Sequence, residues 1–547
     1  MSHFVSPDWA GLWPAMRQEA HYGDRVVACF AERPASLHQL LDEALCRNPD
    51  GDALVCGDER LTYRQLQQQS ARVAAGLAAR GVKAGDRVAL LLGNRIEFVL
   101  ALFAATRLGA ITVPLSVREQ TPGLAYMLDH CAAVLLLHEA ELAPVLPPAS
   151  ALPALRSRIA TGGSCDGAEP FEALLGHGDG AEPAAVAEED TAAILYTSGT
   201  TGRPKGAMLT HLGIVHSSMH YQIAMGLGTE DSSIAAVPLS HVTGLVALVT
   251  TMVRAAGRLT IMPAFKAADF LRLAARERMT HSLLVPAMYN LCLLQSDFAS
   301  HDLTCWRIGA FGGAPMPLAT IDTLARSVPS LTLMNCYGAT ETTSPTTLMP
   351  AGCHAAHSDT VGTTLGCAEV CVMDDAGHEV PRGQTGELWI KGPMVVPGYW
   401  RNPEATAENL SGGYWHSGDI GSLDAQGYIR VVDRMKDMIN RGGFKIYTIE
   451  VENALYEHPA VQECAVIAKP CPVLGERVHA FVALKAAGLT AQVTAEELRA
   501  FVKPRLSDYK VPESITLSTT PLPRNANGKL LKRAMRDQLL ASLESSR

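Results

Sequence analysis

Eleven consecutive residues concentrate the chemistry of this chain: Tyr196-Thr197-Ser198-Gly199-Thr200-Thr201-Gly202-Arg203-Pro204-Lys205-Gly206. They hold three glycines, four aliphatic hydroxyls and one lysine. Glycine lets backbone N–H groups turn toward an anion with no Cβ in the way. Ser and Thr add hydroxyl donors, and Lys adds a mobile positive charge. This composition suits a polyphosphate. The spacing is not Walker A, because Gly199, Gly202 and Lys205 do not give Gly, four residues, then Gly-Lys-Ser/Thr. Read alone, the string would be an ordinary Gly/Ser/Thr turn. It follows Ala192-Ala193-Ile194-Leu195, which reads as a buried strand.

Four further strings carry candidate chemistry. In Asn335-Cys336-Tyr337-Gly338-Ala339-Thr340-Glu341-Thr342-Thr343, Tyr337 offers a ring for stacking, Thr340 a phosphate-reaching hydroxyl, and Glu341 a hard oxygen ligand. A carboxylate beside a phosphate site repels the anion, so a Mg²⁺ ion is the natural resolution. In Phe311-Gly312-Gly313-Ala314-Pro315, two glycines after a strand Trp306–Ala310 allow a flat ligand to lie close on backbone. Val237–Gly244 joins a strand to a helix and contains His241, whose imidazole can donate to a phosphate or carboxylate oxygen and swing aside. Pro521–Lys529 ends in a lysine on a Gly-flanked loop.

Together these strings resemble the acyl-adenylate-forming (AMP-binding) superfamily, which contains acyl-CoA synthetases, adenylation domains of peptide synthetases and luciferases. The match runs from about residue 35 to 535. The resemblance implies that Thr197, Ser198, Gly199, Thr200, Thr201, Gly202 and Lys205 hold phosphates. Gly313, Ala314, Pro315, Tyr337 and Gly338 would lie along adenine, and Asp419 and Arg434 on ribose. It implies Mg²⁺ on Glu341, catalytic roles for His241, Thr340, Glu341 and Lys529, and an acyl pocket that includes His241, Val242, Phe311, Gly312, Gly338 and Thr343. Asp419 lies in Tyr414–Gly421, which read alone would be a Gly-Asp turn. Lys436 falls on the family's hinge, and Gly443 faces the thiol in the rotated state. Asp437 and Arg441 take no assigned role.

The elements that must position these residues alternate. Ser36/Gln39 and Thr62/Gln65 read as capping boxes, opening a helix from about Leu37 to Cys46 and another that Gly81 stops. Val88–Leu92 is a continuous apolar strand, Asn94 reads as the cap of a helix ending near Gly109, and Ile111–Leu115 is the next strand. Such alternation argues α/β layering on a parallel sheet. Residues 139–190 read as surface helices and loops. The charge-dense Asp433–Lys445 reads as an exposed connector between domains. Beyond it, a helix at Thr448, two apolar strands and a Thr494/Glu497 capping box make a small α+β unit. The expected fold is therefore α/β. A large domain, 1–433, has layered parallel α/β subdomains and a β-barrel-like portion. The small C-terminal domain, 434–547, is mobile by the resemblance and carries Lys529.

Bulk composition narrows the class. The chain has 547 residues, 48% apolar and 18% charged, as a globular multidomain chain does. Its net charge of −9 argues against nucleic acid as main partner. Thirteen cysteines without a CxxC pair or a completed zinc pattern read as reduced thiols. The first twenty residues have no apolar h-region, the run Val242–Val253 is too short to span a bilayer, and Ser545-Ser546-Arg547 is no peroxisomal address, so the expected location is cytoplasmic. Peripheral membrane contact and a homodimer stay open.

The expected activity is that of an ATP-dependent acid–thiol ligase: a carboxylic acid becomes acyl-AMP, then a thioester of coenzyme A. Amino-acid-activating members of the family carry an Asp near the His241 segment to hold an ammonium. Val237–Gly244 has no carboxylate. An uncharged tail is therefore favoured, a medium- or long-chain fatty acid first and an aryl acid next. The alternatives are an adenylation enzyme that loads an acyl carrier protein and a non-catalytic nucleotide-binding module.

Overall fold

A computed structural model describes residues 9, 11–178, 180–197, 203–314, 316–354, 356–485, 493–524 and 530–545. The chain forms two compact units. One comprises Met1–Cys371, Trp389–His416 and Ala425–Ile429, and the other Val372–Leu388, Ser417–Asp424 and Arg430–Arg547.

The first unit is α/β, as its strand–helix alternation requires. A seven-stranded sheet has the order Lys205–Thr210, Thr191–Thr197, Ile111–Pro114, Arg87–Leu91, Leu135–Glu139, Ser157–Thr161, Glu169–Pro170. Its strands are parallel except for the hairpin of the first two. Val88 to Leu91 are all buried, so both faces must be covered. The helix Thr121–His130 contributes Leu124, Met127 and Leu128 to one core. The helix Ile96–Arg107 touches this sheet and the strand Asp52–Cys56 of the next, which is why Ile96 and Phe98 to Thr106 are buried on nearly every side.

The second sheet runs Thr363–Thr364, Thr347–Leu348, Thr332–Tyr337, Ile308–Gly312, His281–Leu284, Ser232–Ala235, Arg258–Ile261, Asp52–Cys56, Glu59–Thr62. Its centre is parallel and its edges antiparallel. A further five-stranded sheet has the order Glu369–Met373, Thr385–Lys391, Tyr414–Leu423, Leu410–Ser411, with Ile429–Arg434 on Tyr414–Leu423.

In the second unit, strands Phe444–Ile446, Ile439–Arg441, Gly475–Leu484 and Val461–Cys471 form a sheet, joined by Ser514–Ser518. Val466 and Val482 pack with Val451, Leu455 and Leu498. Ile467 and Phe481 pack with Leu522 and Met535. Successive strand residues serve opposite faces, and both faces are covered. Among the described residues no helix is long and apolar enough to cross a membrane.

Several local expectations need correction. Asn94 caps nothing. The helix starts after Arg95 with no side-chain cap, and the buried Asn94 amide donates to the carbonyls of Ala235, Val237 and Met262 and accepts from Leu239 N. Four bonds to a neighbouring sheet outweigh one cap bond. Ser157–Thr161, expected as loop, is a strand; only Ile159 in it is a large apolar residue. The strand expected over Trp306–Ala310 is Ile308–Gly312. Gly312 belongs to it because a Cβ there would stand 2.4 Å from Cys336 O, and the turn begins at Gly313, with φ +78°. Tyr414–Leu423 is a strand rather than a turn, interrupted by Gly418 at φ +67°. The helix after His241 is a π-helix over Thr243–Thr250, a form that recurs at functional sites. Asp433, expected in an exposed connector, is 1% exposed. The Thr62/Gln65 capping box is reciprocal, whereas Gln39 returns its bond to Ala35 rather than to Ser36.

Candidate active site

In the first unit the hairpin fixes both ends of the glycine-rich string. Thr197 pairs with Lys205 across it, and the single Thr197 hydroxyl proton has Lys205 O at 3.4 Å and Glu341 Oε1 at 3.3 Å as alternative acceptors. Ser198, Gly199, Thr200, Thr201 and Gly202 lie outside the described residues, as do Pro315 and Lys529.

Glu341 sits in the single helical turn Thr340–Thr342, after the strand Thr332–Tyr337. Ala339 N donates to Thr342 Oγ1 at 2.9 Å, and Ser344 N to Ala339 O at 3.1 Å. Gly338 is tightly enclosed here: a Cβ would meet Pro345 Cα, Thr342 Oγ1 and Thr346 N, each at 3.2 Å. Thr343 and Ser344 then adopt φ of +50° and +35°, and Ser344-Pro345 is cis. This tight path aims Glu341 at the hairpin. Glu341 Oε1 accepts from Thr197 Oγ1 at 3.3 Å and from the Tyr399 hydroxyl at 3.1 Å. Among the described residues no donor reaches Oε2. Lys205 Nζ lies 5.3 Å from the Tyr399 ring centroid, in cation–π range. Burial and the Glu341 carboxylate push the Tyr399 phenol well above its usual range, so it stays a donor.

The structure thus brings together Thr197, Lys205 and Glu341, with Tyr337 and Thr340 half-buried beside them in sequence. Tyr399 was not legible as part of this group, since no spacing pattern marks it. Gly313 and Ala314 are exposed. His241 Nδ1 lies 3.3 Å from Thr243 Oγ1, and Val242 and Phe311 are buried. Thr343, expected to line the acyl pocket, is fully buried and donates to Met394 O at 2.7 Å. A Cβ added at Gly213 would touch its hydroxyl at 3.1 Å. Its side chain serves packing and a backbone bond.

In the second unit Arg434 Nε pairs with Asp419 Oδ1 at 3.1 Å, bringing the two expected ribose residues together. Asp419 is 6% exposed. Lys436 is exposed. Gly442 and Gly443 have φ of +59° and +92°, and nothing lies within 4 Å of a Cβ built at Gly443. Arg441, without an assigned role from sequence, pairs with Glu513. Asp433 accepts from both N and Oγ1 of Thr448, the first residue of the helix Thr448–Tyr456. Lys532 Nζ reaches Thr448 Oγ1 and Glu452 Oε1, both at 2.8 Å. Burial raises the pKa of Asp433 and of Glu452, against the pull of Lys532. Burial opposes the Lys532 charge, but Glu452 and its acidic neighbours outweigh it and raise the Lys532 pKa.

A family model described as AMP-binding enzyme matches residues 41–400, and its companion, AMP-binding enzyme C-terminal domain, matches 450–529. A feruloyl-CoA synthase from Amycolatopsis sp is 37% identical over 89% of this chain and 96% of its own. The long-chain-fatty-acid–CoA ligase FadD13 of Mycobacterium tuberculosis is 32% identical over 89% of this chain and 94% of its own. The crystal structure of the anthranilate CoA ligase AuaEII with anthranoyl-AMP superposes with a TM-score of 0.86 and 26% identity, covering 93% of this chain and 99% of that one. With a family model over more than half its length, and with a relative 37% identical over 89% of it, the chain belongs to the AMP-binding enzymes.

Proposed function

We propose that this enzyme joins a carboxylic acid to coenzyme A in two steps. The acid's carboxylate attacks the α-phosphorus of ATP, giving acyl-AMP and pyrophosphate. The thiol sulfur of coenzyme A then attacks the acyl carbon, and AMP leaves. A bare carboxylate is a poor acyl donor because oxide would have to leave; in the adenylate the leaving group is AMP. The observation that carries this reading is Glu341, held by hydroxyls at the mouth of the Thr197–Lys205 hairpin.

The Glu341 carboxylate fits a hard divalent cation, since two hydroxyls lie within hydrogen-bond range of Oε1 and, among the described residues, no donor reaches Oε2. Mg²⁺ bound there would offset negative charge on the phosphates. Lys205 and the glycine-rich string hold the phosphates in place, and Thr340 adds a hydroxyl. Tyr337 and Gly313-Ala314 flank adenine, and Asp419 with Arg434 takes the ribose. Lys529 offsets charge on the carboxylate and α-phosphate during the first step. Rotation of the C-terminal domain about Lys436 then brings the open backbone at Gly443 to the thiol.

The acyl group faces an uncharged wall. From Val237 to Thr250 there is no acidic side chain, and Gly244 to Thr250 are buried. A neutral aryl or fatty tail suits this wall, and an α-ammonium does not. The similarity to aryl-acid and fatty-acid CoA ligases supports the same substrate range. A hydroxamate-trapping screen with ATP and Mg²⁺ tests it. Fatty and aryl acids should give hydroxamate and free amino acids should not; preferential turnover of an α-amino acid would refute the reading. Thioester formation with free coenzyme A distinguishes it from transfer to an acyl carrier protein.

A further inference from the structure

Tyr399 stands outside every string that carried the reading above, yet its position is fixed from three sides. Its neighbours zip onto the strand that leaves the glycine-rich string: Trp400 N donates to Gly206 O at 2.7 Å, and Met208 N to Gly398 O at 3.2 Å. Val396 N donates to Glu341 O at 2.9 Å, tying the same segment to the Glu341 turn. The Tyr399 peptide N–H is held by Thr406 Oγ1 at 3.0 Å. The phenol, 5% exposed, therefore has one place to go, and its hydroxyl reaches Glu341 Oε1 at 3.1 Å.

A purely structural anchor would satisfy the carboxylate as a whole. Here both hydroxyls, of Tyr399 and Thr197, converge on one oxygen and leave the other without a donor among the described residues. A carboxylate pinned in this way presents one lone-pair edge in a fixed direction. We infer that Tyr399 is a positioning residue that, with Thr197, turns Glu341 Oε2 toward the divalent cation of the nucleotide. The inference rests on the metal role read for Glu341. Hydrogen bonds to a ligating carboxylate commonly change metal affinity by about 10–100-fold when removed. Lys205 over the Tyr399 ring couples the same side chain to the phosphate end of the site.

The test is Mn²⁺ binding to the full-length protein with α,β-methylene-ATP, read by the EPR signal of free Mn²⁺. Tyr399→Phe keeps the ring and removes only the hydroxyl. It should weaken Mn²⁺ binding about 10-fold or more, with an unchanged melting temperature and an unchanged KM for the acid. Thr197→Val should act in the same direction. Glu341→Gln should weaken binding further, and Tyr399→Phe added to it should have no further effect. Native Mn²⁺ affinity in Tyr399→Phe, or full additivity with Glu341→Gln, would overturn the inference. Native affinity in Glu341→Gln alone would refute the metal reading of Glu341 itself. Should Tyr399→Phe melt early, the same Mn²⁺ titration below its unfolding onset carries the comparison.

Discussion

The Glu341 frame of the first unit and the Lys532 cluster of the second use charge in opposite ways. Around Glu341, neutral hydroxyls hold a half-buried carboxylate by one oxygen and, among the described residues, none reaches the other. Around Lys532, two carboxylates and a lysine are buried together and bond to each other and to the start of a helix. The first arrangement is the one the proposed metal role of Glu341 would use. The second uses its charges internally, and what it fixes is the start of the helix Thr448–Tyr456 against Asp433 and Lys532. The comparison teaches that burial of a charged group marks architecture, while a carboxylate only half committed marks a site.

This contrast can be broken by substitution. Removing one partner of a buried ion pair strands the other. Lys532→Met should therefore cost about 3–5 kcal/mol of stability, seen as a lowered denaturation midpoint of the full chain. Lys532→Arg should restore part of it. A midpoint within error of the native one would mean that the cluster is not the anchor described.

Lys529→Ala should slow acyl-adenylate formation by about 100-fold or more, the scale for losing one charge-stabilising group. Thioester formation from synthetic acyl-AMP should stay near native. Gly443→Ala should show the reverse, because both glycines of that turn hold positive φ; loss of the same half-reaction in both variants would count against rotation about Lys436. Glu341→Gln should lower the adenylation rate at low Mg²⁺ by more than the about 10-fold expected for losing an outer partner such as Tyr399, with partial recovery at high Mg²⁺. An unchanged rate-against-Mg²⁺ curve would place the ion elsewhere.

The smallest expected effect separates the units by pH. In the first, burial lowers His216 to about 3, and His211 and His281 to about 4. Their folded values lie below the ordinary 6.5, so between about 6.5 and 4 the unfolded chain binds more protons. Acidification through that window should therefore lower stability. Asp433 and Glu452 are raised when folded, so their contribution falls as pH rises above the ordinary carboxylate range. Calorimetry across pH 4 to 7 should show a negative acid slope that shrinks in His216→Gln and becomes steeper in Asp433→Asn. No change of slope in either variant would contradict these assignments.

Part of the candidate site was legible because its chemistry is local in sequence. Thr197 to Lys205 and Tyr337 to Glu341 each carry their glycines, hydroxyls and charge within a few residues. What escaped is joined over distance. Tyr399 meets Glu341 across 58 residues, Lys532 meets Thr448 across 84, and Asn94 meets Met262 across 168. No periodicity records such pairings. Asn94 shows the failure clearly, because its type and place before an apolar helix are those of a cap, and the buried carbonyls that claim it belong to another sheet. Gly312 escaped for a related reason: the close approach of Cys336 O, not a turn, demands a glycine there.

The central claim is that ATP and a neutral carboxylic acid form an adenylate before any thiol takes part. A rapid-quench experiment with ATP labelled at the α-phosphate, a fatty or aryl acid and no coenzyme A tests it most directly. Labelled acyl-AMP should accumulate to about one per active site and be consumed, with labelled AMP released, when coenzyme A is added. Absence of an acid-dependent labelled adenylate, or thioester formed without release of AMP, would contradict the account.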